Sequence, residues 1–332
     1  MNSLIASELT GRIEHWPIAG AFTISRGAKT KAIVVVAELR CGDHVGRGEC
    51  VPYARYGETP EGTLAALEAM RRPLAGGLDR ATLQTAMPPG AARNALDCAL
   101  VDLEARTFRR RAWELFGSAP PRPITTAYTI SLGTPEAMAE ATARAASRPL
   151  LKIKLGGDGD EQRIAAVRRS APNAELIVDA NEAWTPDNLA RNLAACADAG
   201  VTLVEQPLPA GGDETLAAMT RPIAVCADES VHDRTSLAAL RGRYDAVNIK
   251  LDKTGGLTEA MAMAMDAQAL GLQIMVGCMV ATSLAMAPAM LLTPFARVVD
   301  LDGPLLLAHD RDDGLRYDVS TVYPPTAALW GS

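Results

Sequence analysis

From residue 150 to residue 250 the chain repeats one pattern. A short apolar run ends on a charged residue, and turn formers follow: LLKIKLGG, LIVDANEAW, TLVEQPLP, AVCADES and AVNIKLDKTGG. The closing charges are Lys154, Asp179, Glu205, Asp228 and Lys250, with Lys152 two places before the first. Successive ones lie 25, 26, 23 and 22 positions apart. A strand, two loops and a helix need about this length, so each interval reads as one βα unit with its charge at the strand's C-terminal end. Short apolar runs bounded by turn formers read as buried strands.

The same reading extends outward. After the Pro-rich stretch SAPPRPIT at residues 118–125, eight strands are expected, over 124–130, 150–154, 175–179, 202–205, 223–228, 246–250, 272–276 and 297–302. Helices separate them. Thr134-Pro135-Glu136 and Thr185-Pro186-Asp187 each offer an N-cap, a proline in the first turn and an acidic residue beside it. Eight strands in this alternation favour a closed barrel over an open doubly wound sheet. Before the barrel, residues 4–16, 32–39 and 45–50 read as a β-meander, with PIAGAFTISRGAKT as a long connection between the first two strands. Helices follow from Pro60 to about residue 70, near 80–87, and over 91–107, where Ala92, Leu96, Leu100 and Leu103 form one apolar stripe. The expected division is an α+β domain at 1–120, a barrel at 121–310 and a C-terminal segment at 311–332. That segment returns through Tyr317, Val319 and Val322 to the first domain.

Composition narrows the class. A length of 332 residues accommodates a barrel of about 250 plus a smaller domain. Hydrophobic residues at 48% exclude a disordered chain. The net charge of −6, the pI near 5.4 and the lack of a basic run beyond Arg109–Arg111 argue against nucleic-acid binding. Six scattered cysteines without a CxxC pair fit a reduced, cytoplasmic compartment. The first residues, MNSLIASELTGRIE, lack the pattern of a secretory leader. Residues 271–292 carry no charge over a length that could span a bilayer. Gly277, Thr282, Ser283 and Pro288 divide this stretch into a strand, a loop and a buried helix, so no membrane partner is expected. The sequence is compatible with a homo-oligomer.

In a (β/α) barrel the strand ends meet on one face, which carries the chemistry. Asp179, Glu205 and Asp228 would repel one another there unless a cation joined them. Oxygen donors suit Mg²⁺. Any one of them alone could equally be a helix cap or a surface acid. Lys152 and Lys154, two apart on a strand, point to the same side. Two adjacent cations are expected to depress each other's pKa, which would suit Lys154 to act as a base. Lys250 lies four units further round, across the carboxylates from Lys154. One lysine could remove a proton from one face of a carbon while the other returns one to the opposite face. Asp300 and Asp302 in VVDLDGP would attract a cationic group on a substrate, or else simply form a turn. Arg26, Arg55 and Glu58 read from composition as solvated loop charges. The turn Lys253-Thr254-Gly255-Gly256 is only a weak candidate for a phosphate cradle. The four histidines, His15, His44, His232 and His309, join no ligand-like cluster.

These motifs resemble the enolase superfamily, and within it the muconate-lactonizing-enzyme-like subgroup. KIK at 152–154, VDAN ending on Asp179 to Asn181, EQP at Glu205, ADES at Asp228 and NIK at Lys250 stand in that family's order. GEC at 48–50 and RNALDCAL at 93–100 resemble its capping domain. The resemblance implies a TIM-like (β/α)7β barrel with an N-terminal α+β capping domain. It also implies one Mg²⁺ per subunit, with Mn²⁺ as the alternative, held by Asp179, Glu205 and Asp228. Lys154 and Lys250 become the acid/base pair, assisted by Lys152. Asp300-Leu301-Asp302 resembles the Asp-x-Asp hallmark of dipeptide epimerases, where it binds the substrate ammonium. TISRGAKT and VPYARYGETP resemble the loops of L-Ala-D/L-Glu epimerases, which implies Arg26 as partner of the glutamate side chain. The implied activity is epimerisation at the C-terminal residue of a dipeptide, in murein peptide recycling. N-acylamino acid racemisation, o-succinylbenzoate synthesis and cycloisomerisation are alternatives on the same scaffold. A non-catalytic metal- or small-molecule-binding barrel is the alternative from another class.

Overall fold

The computed structural model describes Ala6 and residues 8–331. The other N-terminal residues, which hold the start of the 4–16 strand and of the segment where a leader was sought, lie outside these. The first layer is an antiparallel sheet of β1 (Glu8–Ile24), β2 (Gly27–Cys41) and β3 (His44–Cys50), in that order. The stretch read as a long connection is in fact the outer arm of a β-hairpin. Its residues continue both strands, and only Ser25 and Arg26 turn the chain. Register slips between Pro17 and Phe22, and the arm projects beyond the sheet's buried part, so no clean two-residue alternation marks it.

The helix Ala91–Phe108 lies on this sheet at unusually close range. A Cβ on Gly46 would stand 2.3 Å from the Ala99 carbonyl oxygen, and one on Gly48 2.1 Å from that of Ala95. Only glycine permits that approach. The expected apolar stripe is too narrow a description. Leu96, Leu100 and Leu103 are buried, but so are Arg93, Asn94, Asp97 and Asp102. The helix is covered by the first sheet on one side and by the barrel on the other. Arg93 donates to the carbonyls of Thr254 and Gly255, and Asn94 Nδ2 donates to Asp252 Oδ1.

The second layer is the barrel. The expected strand at 124–130 divides into β4 (Ile124–Thr125) and β5 (Tyr128–Ile130). There follow β6 (Leu150–Lys154), β7 (Glu175–Asp179), β8 (Val201–Glu205), β9 (Ala224–Ala227), β10 (Ala246–Ile249), β11 (Gln273–Val276) and β12 (Val298–Val299). Strands β5 to β12 form one parallel sheet in sequence order. Its two ends meet. Ala127 N–H donates to the Val299 carbonyl, Leu301 N–H to Thr126 Oγ1, and Thr129 N–H to Asp302 Oδ2 at 2.6 Å. This seam explains the division of 124–130 and the shortness of β12: the backbone changes partner between Thr126 and Ala127, and side chains take over part of the pairing. β4 instead joins the hairpin of β13 (Tyr317–Asp318) and β14 (Thr321–Val322). Thr321 and Val322 thus pair with Thr125 and Ile124 at the entry to the barrel, and Tyr317 pairs with Val322 within the hairpin. Further on, Trp330 Nε1 donates to the Cys98 carbonyl and Gly331 N–H to Asp102 Oδ1.

Inward positions recur every second residue on a strand. Ala127, Leu150, Ile177, Leu203, Cys226, Ala246, Met275 and Val298 form a closed apolar cluster, one from each barrel strand or the residue just before it. Residues 271–292 resolve into β11, a loop and the short helix Ser283–Ala289. Among the described residues, no helix is long and apolar enough to cross a membrane.

Buried polar groups join the two layers. Arg311 reaches Glu14 and Glu49 at 2.6 Å each. Asp252 Oδ1 accepts from Val51 N–H and Asn94 Nδ2, both at 2.9 Å. Burial pushes the Asp252 carboxyl up from its ordinary 3.8 to about 7, against these two hydrogen bonds. The folded state therefore holds a proton that the unfolded chain releases near pH 4. This contribution makes stability fall as pH rises from about 4 to 7 and then level off. Asp252→Asn keeps the acceptor oxygen without the charge. The variant is expected to gain stability over the wild type as pH rises through that window, by ~4 kcal/mol at most, and to match it near pH 4. Urea melts of both proteins between pH 4 and 8 measure this difference.

Candidate active site

One step above the apolar floor, the inward positions turn polar. Thr129, Lys152, Asp179, Glu205, Asp228, Asn248 and Asp300 each follow a floor residue of their own strand by two places, and all are buried. Lys154, Lys250 and Asp302 stand one further step up. The two-residue period thus brings together eight of the nine residues proposed from the sequence for metal, proton transfer and substrate. The ninth, Arg26, comes from the hairpin arm above.

Asp179, Glu205 and Asp228 bring one carboxylate oxygen each within 4.8 Å of one another. Lys154 Nζ lies 2.7 Å from Asp179 Oδ2, and on the other side Lys250 Nζ lies 2.7 Å from Asp228 Oδ2. Lys152 Nζ touches Glu205 Oε2 at 2.6 Å, Asp300 Oδ2 at 2.8 Å and Asp179 Oδ2 at 3.3 Å. The two lysines of the KIK motif were expected to depress each other. At Lys152 burial does act downward, but Asp300, Glu205 and Asp179 outweigh it, and the ammonium is held well above the ordinary lysine value. Lys250 is raised likewise by Asp228 and Glu205 against burial. Within the triad burial raises every carboxyl. The lysines reverse this at Asp179 and Asp228, whereas Glu205, with Asp179 adding to burial, stays shifted upward.

Several supporting residues were not found from the sequence. Lys253, in the turn that was only a weak candidate for a phosphate cradle, is buried, with Nζ 2.5 Å from Asp228 Oδ1 and 3.0 Å from the Asn248 carbonyl. Asn248 Nδ2 donates to Glu205 Oε1 at 2.7 Å. A Cβ on Gly277 would stand 2.4 Å from Asn248 Oδ1, so the next strand yields space to this amide. Gln206 Oε1 accepts from Asp228 N–H and Ser230 N–H, and its Nε2 donates to Tyr244 Oη and the Leu208 carbonyl. Asn181, Glu182 and Gln206, just past two of the carboxylates, all have positive φ (44°, 67° and 34°). Such strain gathers at functional sites. The only sequence signal for Asn248 was its place in NIK, two residues before Lys250.

The polar tier opens into a cavity of ≈ 900 Å³ roofed by the hairpin arm. Phe22 places its ring 5.6 Å from Lys154 Nζ. Arg26, Arg55 and Glu58 are not free loop charges but are each paired. Arg26 reaches Glu229 at 2.6 Å, the Asn181 carbonyl and Tyr53 Oη at 2.9 Å, and Glu182 at 3.1 Å. Arg55 makes two bonds to Glu182, at 2.8 and 2.9 Å. Glu58 accepts from Tyr53 N–H and Ala91 N–H. Asp300 and Asp302 line the same cavity. Burial and the adjacent Asp300 push the Asp302 carboxyl up to about 7.

The donor set suits a hard divalent ion. It offers three buried carboxylate oxygens at short mutual distance. Asp179, Glu205 and Asp228 could hold Mg²⁺.

Residues 6–117 match the family model "Mandelate racemase / muconate lactonizing enzyme, N-terminal domain", and residues 136–327 match "Enolase C-terminal domain-like". The chain belongs to the mandelate racemase and muconate lactonizing enzyme family of the enolase superfamily. Within that family it is 46% identical to the L-Ala-D/L-Glu epimerase of Escherichia coli (strain K12), over 93% of this chain and 97% of that one. It is 45% identical to the N-acetyl-D-glutamate racemase of a Pseudoalteromonas species, over 90% and 94%. Among solved structures it is similar to an enolase family member from Agrobacterium tumefaciens with homology to dipeptide epimerases, holding sodium and L-Ala-L-Glu with an ordered loop. Identity is 56%, coverage 97% and 99%, and the TM-score 0.96. The dipeptide epimerase of Enterococcus faecalis V583, complexed with Mg and L-Leu-L-Tyr, is 28% identical over 98% and 99%, with a TM-score of 0.90. The fold of this family is the TIM-like barrel with its N-terminal domain, as the motifs implied. Its members of this kind are isomerases, and so is this chain.

Asn248 orients Glu205 without belonging to the triad. Outer-shell partners of metal ligands typically govern affinity by about 10–100-fold. Asn248→Leu is expected to weaken Mg²⁺ binding by roughly that factor, read by isothermal titration calorimetry, with the melting curve of the variant as the control for folding.

Proposed function

We propose that this enzyme epimerises dipeptides at the α-carbon of the C-terminal residue, with L-Ala-D-Glu and L-Ala-L-Glu as the favoured pair. The observation that carries the reading is the opposition of two lysines across one carboxylate triad. Lys154 is anchored on Asp179 and Lys250 on Asp228. A carbon held between them has one amine on each face. One lysine takes the α-proton, the electron pair of the broken C–H bond passes into the adjoining carboxylate as an enediolate, and the other lysine delivers a proton to the opposite face. Lys250, kept cationic by Asp228 and Glu205, suits the donor role. Lys152 sits among Asp179, Glu205 and Asp300, where its charge assists the developing enediolate. Asp179, Glu205 and Asp228 hold the ion, which when bound stabilises negative charge on the substrate carboxylate.

Asp300 and Asp302 are proposed to take the dipeptide's ammonium group. Asp300 Oδ1 is buried and, among the described residues, has no hydrogen-bond partner. An arriving ammonium would supply one and would offset the crowding that raises Asp302. Arg26 is assigned to the recognition of the glutamate side chain. The same proposal divides the chain into a cap at 1–120, the catalytic barrel at 121–310 and a returning tail at 311–332. It places the enzyme in the cytoplasm, in murein peptide recycling, in keeping with six free cysteines.

A second reading has one specific support, the 45% identity to an N-acetyl-D-glutamate racemase. It uses the same lysines and the same metal on an acyl amino acid, which has no ammonium for Asp300 and Asp302. Protein with Mg²⁺ in D₂O, given L-Ala-L-Glu, L-Ala-D-Glu and both N-acetyl-glutamates, separates the two by mass spectrometry. Label in the dipeptides is expected. Lys250→Ala should lose epimerisation by about 10²–10⁴-fold. Asp302→Leu should lose activity on the dipeptides. Retention of dipeptide turnover in Asp302→Leu, with fast exchange of N-acetyl-glutamate, would favour the second reading.

A further inference from the structure

Behind Asp228 lies a polar cluster that the chemistry above does not use. Asp213, Ser230, Tyr244 and Gln206 form it, and none of the four lines the cavity. Asp213 is 1% exposed. It stands just before the short 3-10 turn Glu214–Ala217, yet its side chain does not cap that turn. Its carboxylate instead accepts from Arg243 Nη1 on Oδ1 at 2.8 Å, and from Ser230 Oγ and Tyr244 Oη on Oδ2 at 2.6 Å each. Burial and the bond to Asp213 raise the Tyr244 hydroxyl above its ordinary value, so it keeps its hydrogen.

These contacts commit both hydroxyl hydrogens. Each hydroxyl has one to give, and Asp213 takes both. Ser230 and Tyr244, 3.1 Å apart, therefore turn lone pairs toward Gln206 Nε2, at 2.9 and 3.0 Å. The Leu208 carbonyl completes the acceptors around that nitrogen. At the other end of the amide, Oε1 accepts from Asp228 N–H at 2.8 Å and from Ser230 N–H at 3.0 Å. Asp228 lies one residue past β9, beyond the last paired position of that strand. Gln206 N–H bonds the Cys226 carbonyl, and the Gln206 side chain carries the pairing two residues further, to Asp228.

Resting on the metal site and the reaction proposed above, we infer that Asp213 is a positioning residue for Asp228. It fixes the polarity of a chain of hydrogen bonds, which runs through the Ser230 and Tyr244 hydroxyls and the Gln206 amide to the Asp228 backbone. Asp228 supplies both an oxygen of the triad and the anchor of Lys250. Its placement therefore sets the ion and one of the two opposed amines together. Arg243 makes Asp213→Asn a defined reversal. A guanidinium only donates, so the asparagine keeps its oxygen on Nη1 and turns its NH2 toward the two hydroxyls. Of the two hydroxyl hydrogens, one can pass to the other hydroxyl, and the second is left against Gln206 Nε2. A donor then faces a donor, and the amide loses the seat from which it holds Asp228.

The test is calorimetric titration of the metal-free protein with Mg²⁺, alongside melting curves and kcat and KM for L-Ala-L-Glu at saturating Mg²⁺. The proteins are wild type, Asp213→Asn, Tyr244→Phe, Gln206→Ala, the Asp213→Asn/Gln206→Ala double variant and Glu214→Gln. Glu214, an exposed acid 3.8 Å from the same Arg243, controls for the loss of a charge there. Asp213→Asn is expected to weaken Mg²⁺ binding about tenfold and to lower kcat about tenfold, with KM within about threefold. Tyr244→Phe should move both in the same direction by less, and Glu214→Gln should match wild type. Because Asp213 acts through Gln206, adding Asp213→Asn to Gln206→Ala should change Mg²⁺ affinity by less than about twofold. Wild-type affinity and kcat in folded Asp213→Asn would overturn the inference alone, as would losses that multiply in the double variant. A lowered melting temperature with affinity and kcat intact would make the role structural and overturn it too. If Asp213→Asn does not fold, Tyr244→Phe decides by the same two readouts. Wild type that takes up no Mg²⁺ would overturn the metal assignment, and the inference with it. Wild type that binds Mg²⁺ but turns over neither L-Ala-L-Glu nor L-Ala-D-Glu would overturn the proposed reaction alone, since the titrations still decide the role of Asp213.

Discussion

The two-residue period of the barrel strands governs both the core and the chemistry of this protein. Because inward positions alternate strictly, a floor of small and aliphatic residues fixes what stands two places later. Leu150 sets Lys152 and then Lys154, Ile177 sets Asp179, and Ala246 sets Asn248 and then Lys250. A slip of one residue in any strand would turn its charge into the shell of helices and an aliphatic residue into the site. Burying so many ions is tolerable only because each is paired. Lys152 alone touches three carboxylates, and Asp228 is held by both Lys250 and Lys253. The same contacts that make burial possible hold the two opposed amines in place.

The strand ends carry a second level of order. Where the chain leaves β7 and β8 it passes through left-handed backbone at Asn181, Glu182 and Gln206. These residues redirect the loops and then bind across to the next unit. Gln206 clasps the backbone of Asp228 and Ser230, and Glu182 gathers Arg26, Arg55 and Ala210 N–H. The conformational cost of each turn, of order 1–3 kcal/mol, is offset by these bonds. The position of Asp228 is thus fixed from behind by an amide, and the cap is fixed to the barrel by a carboxylate.

What could be read from the sequence was what is local and periodic. Apolar runs ending in charges at intervals of 22 to 26 residues gave the barrel, the triad and the opposed lysines without any tertiary information. The seam that divides β4 from β5 was not legible, because it depends on which segment arrives beside Thr126 from residues 299–320. Arg55 and Glu58 look like loop charges until the barrel loops supply Glu182 and the helix supplies Ala91 N–H. The role of Lys253 was missed for a related reason. A Lys-Thr-Gly-Gly turn suggests an exposed cradle, and only the folded unit reveals that its ammonium is turned inward onto Asp228. The pKa of Lys152 was expected to fall because its nearest neighbour in sequence is a cation, yet its neighbours in space are three acids.

The hairpin arm shows why such failures concentrate above the barrel. Its side chains answer to no repeating core, so neither face carries a hydrophobic rhythm, and its charges find partners more than 100 residues away. That freedom from the core also suits it to selection. A change on an inward strand position disturbs the floor, the triad or the seam, whereas Phe22, Arg26 and Lys29 meet the cavity from an arm anchored mainly by Ser25 and Arg26 on Asn181 and by Thr23 on Ser131 and Leu132. Proton transfer and metal binding are therefore tied to the strand period. The side chains on the arm are not constrained by that period, and they can change without altering the machinery below.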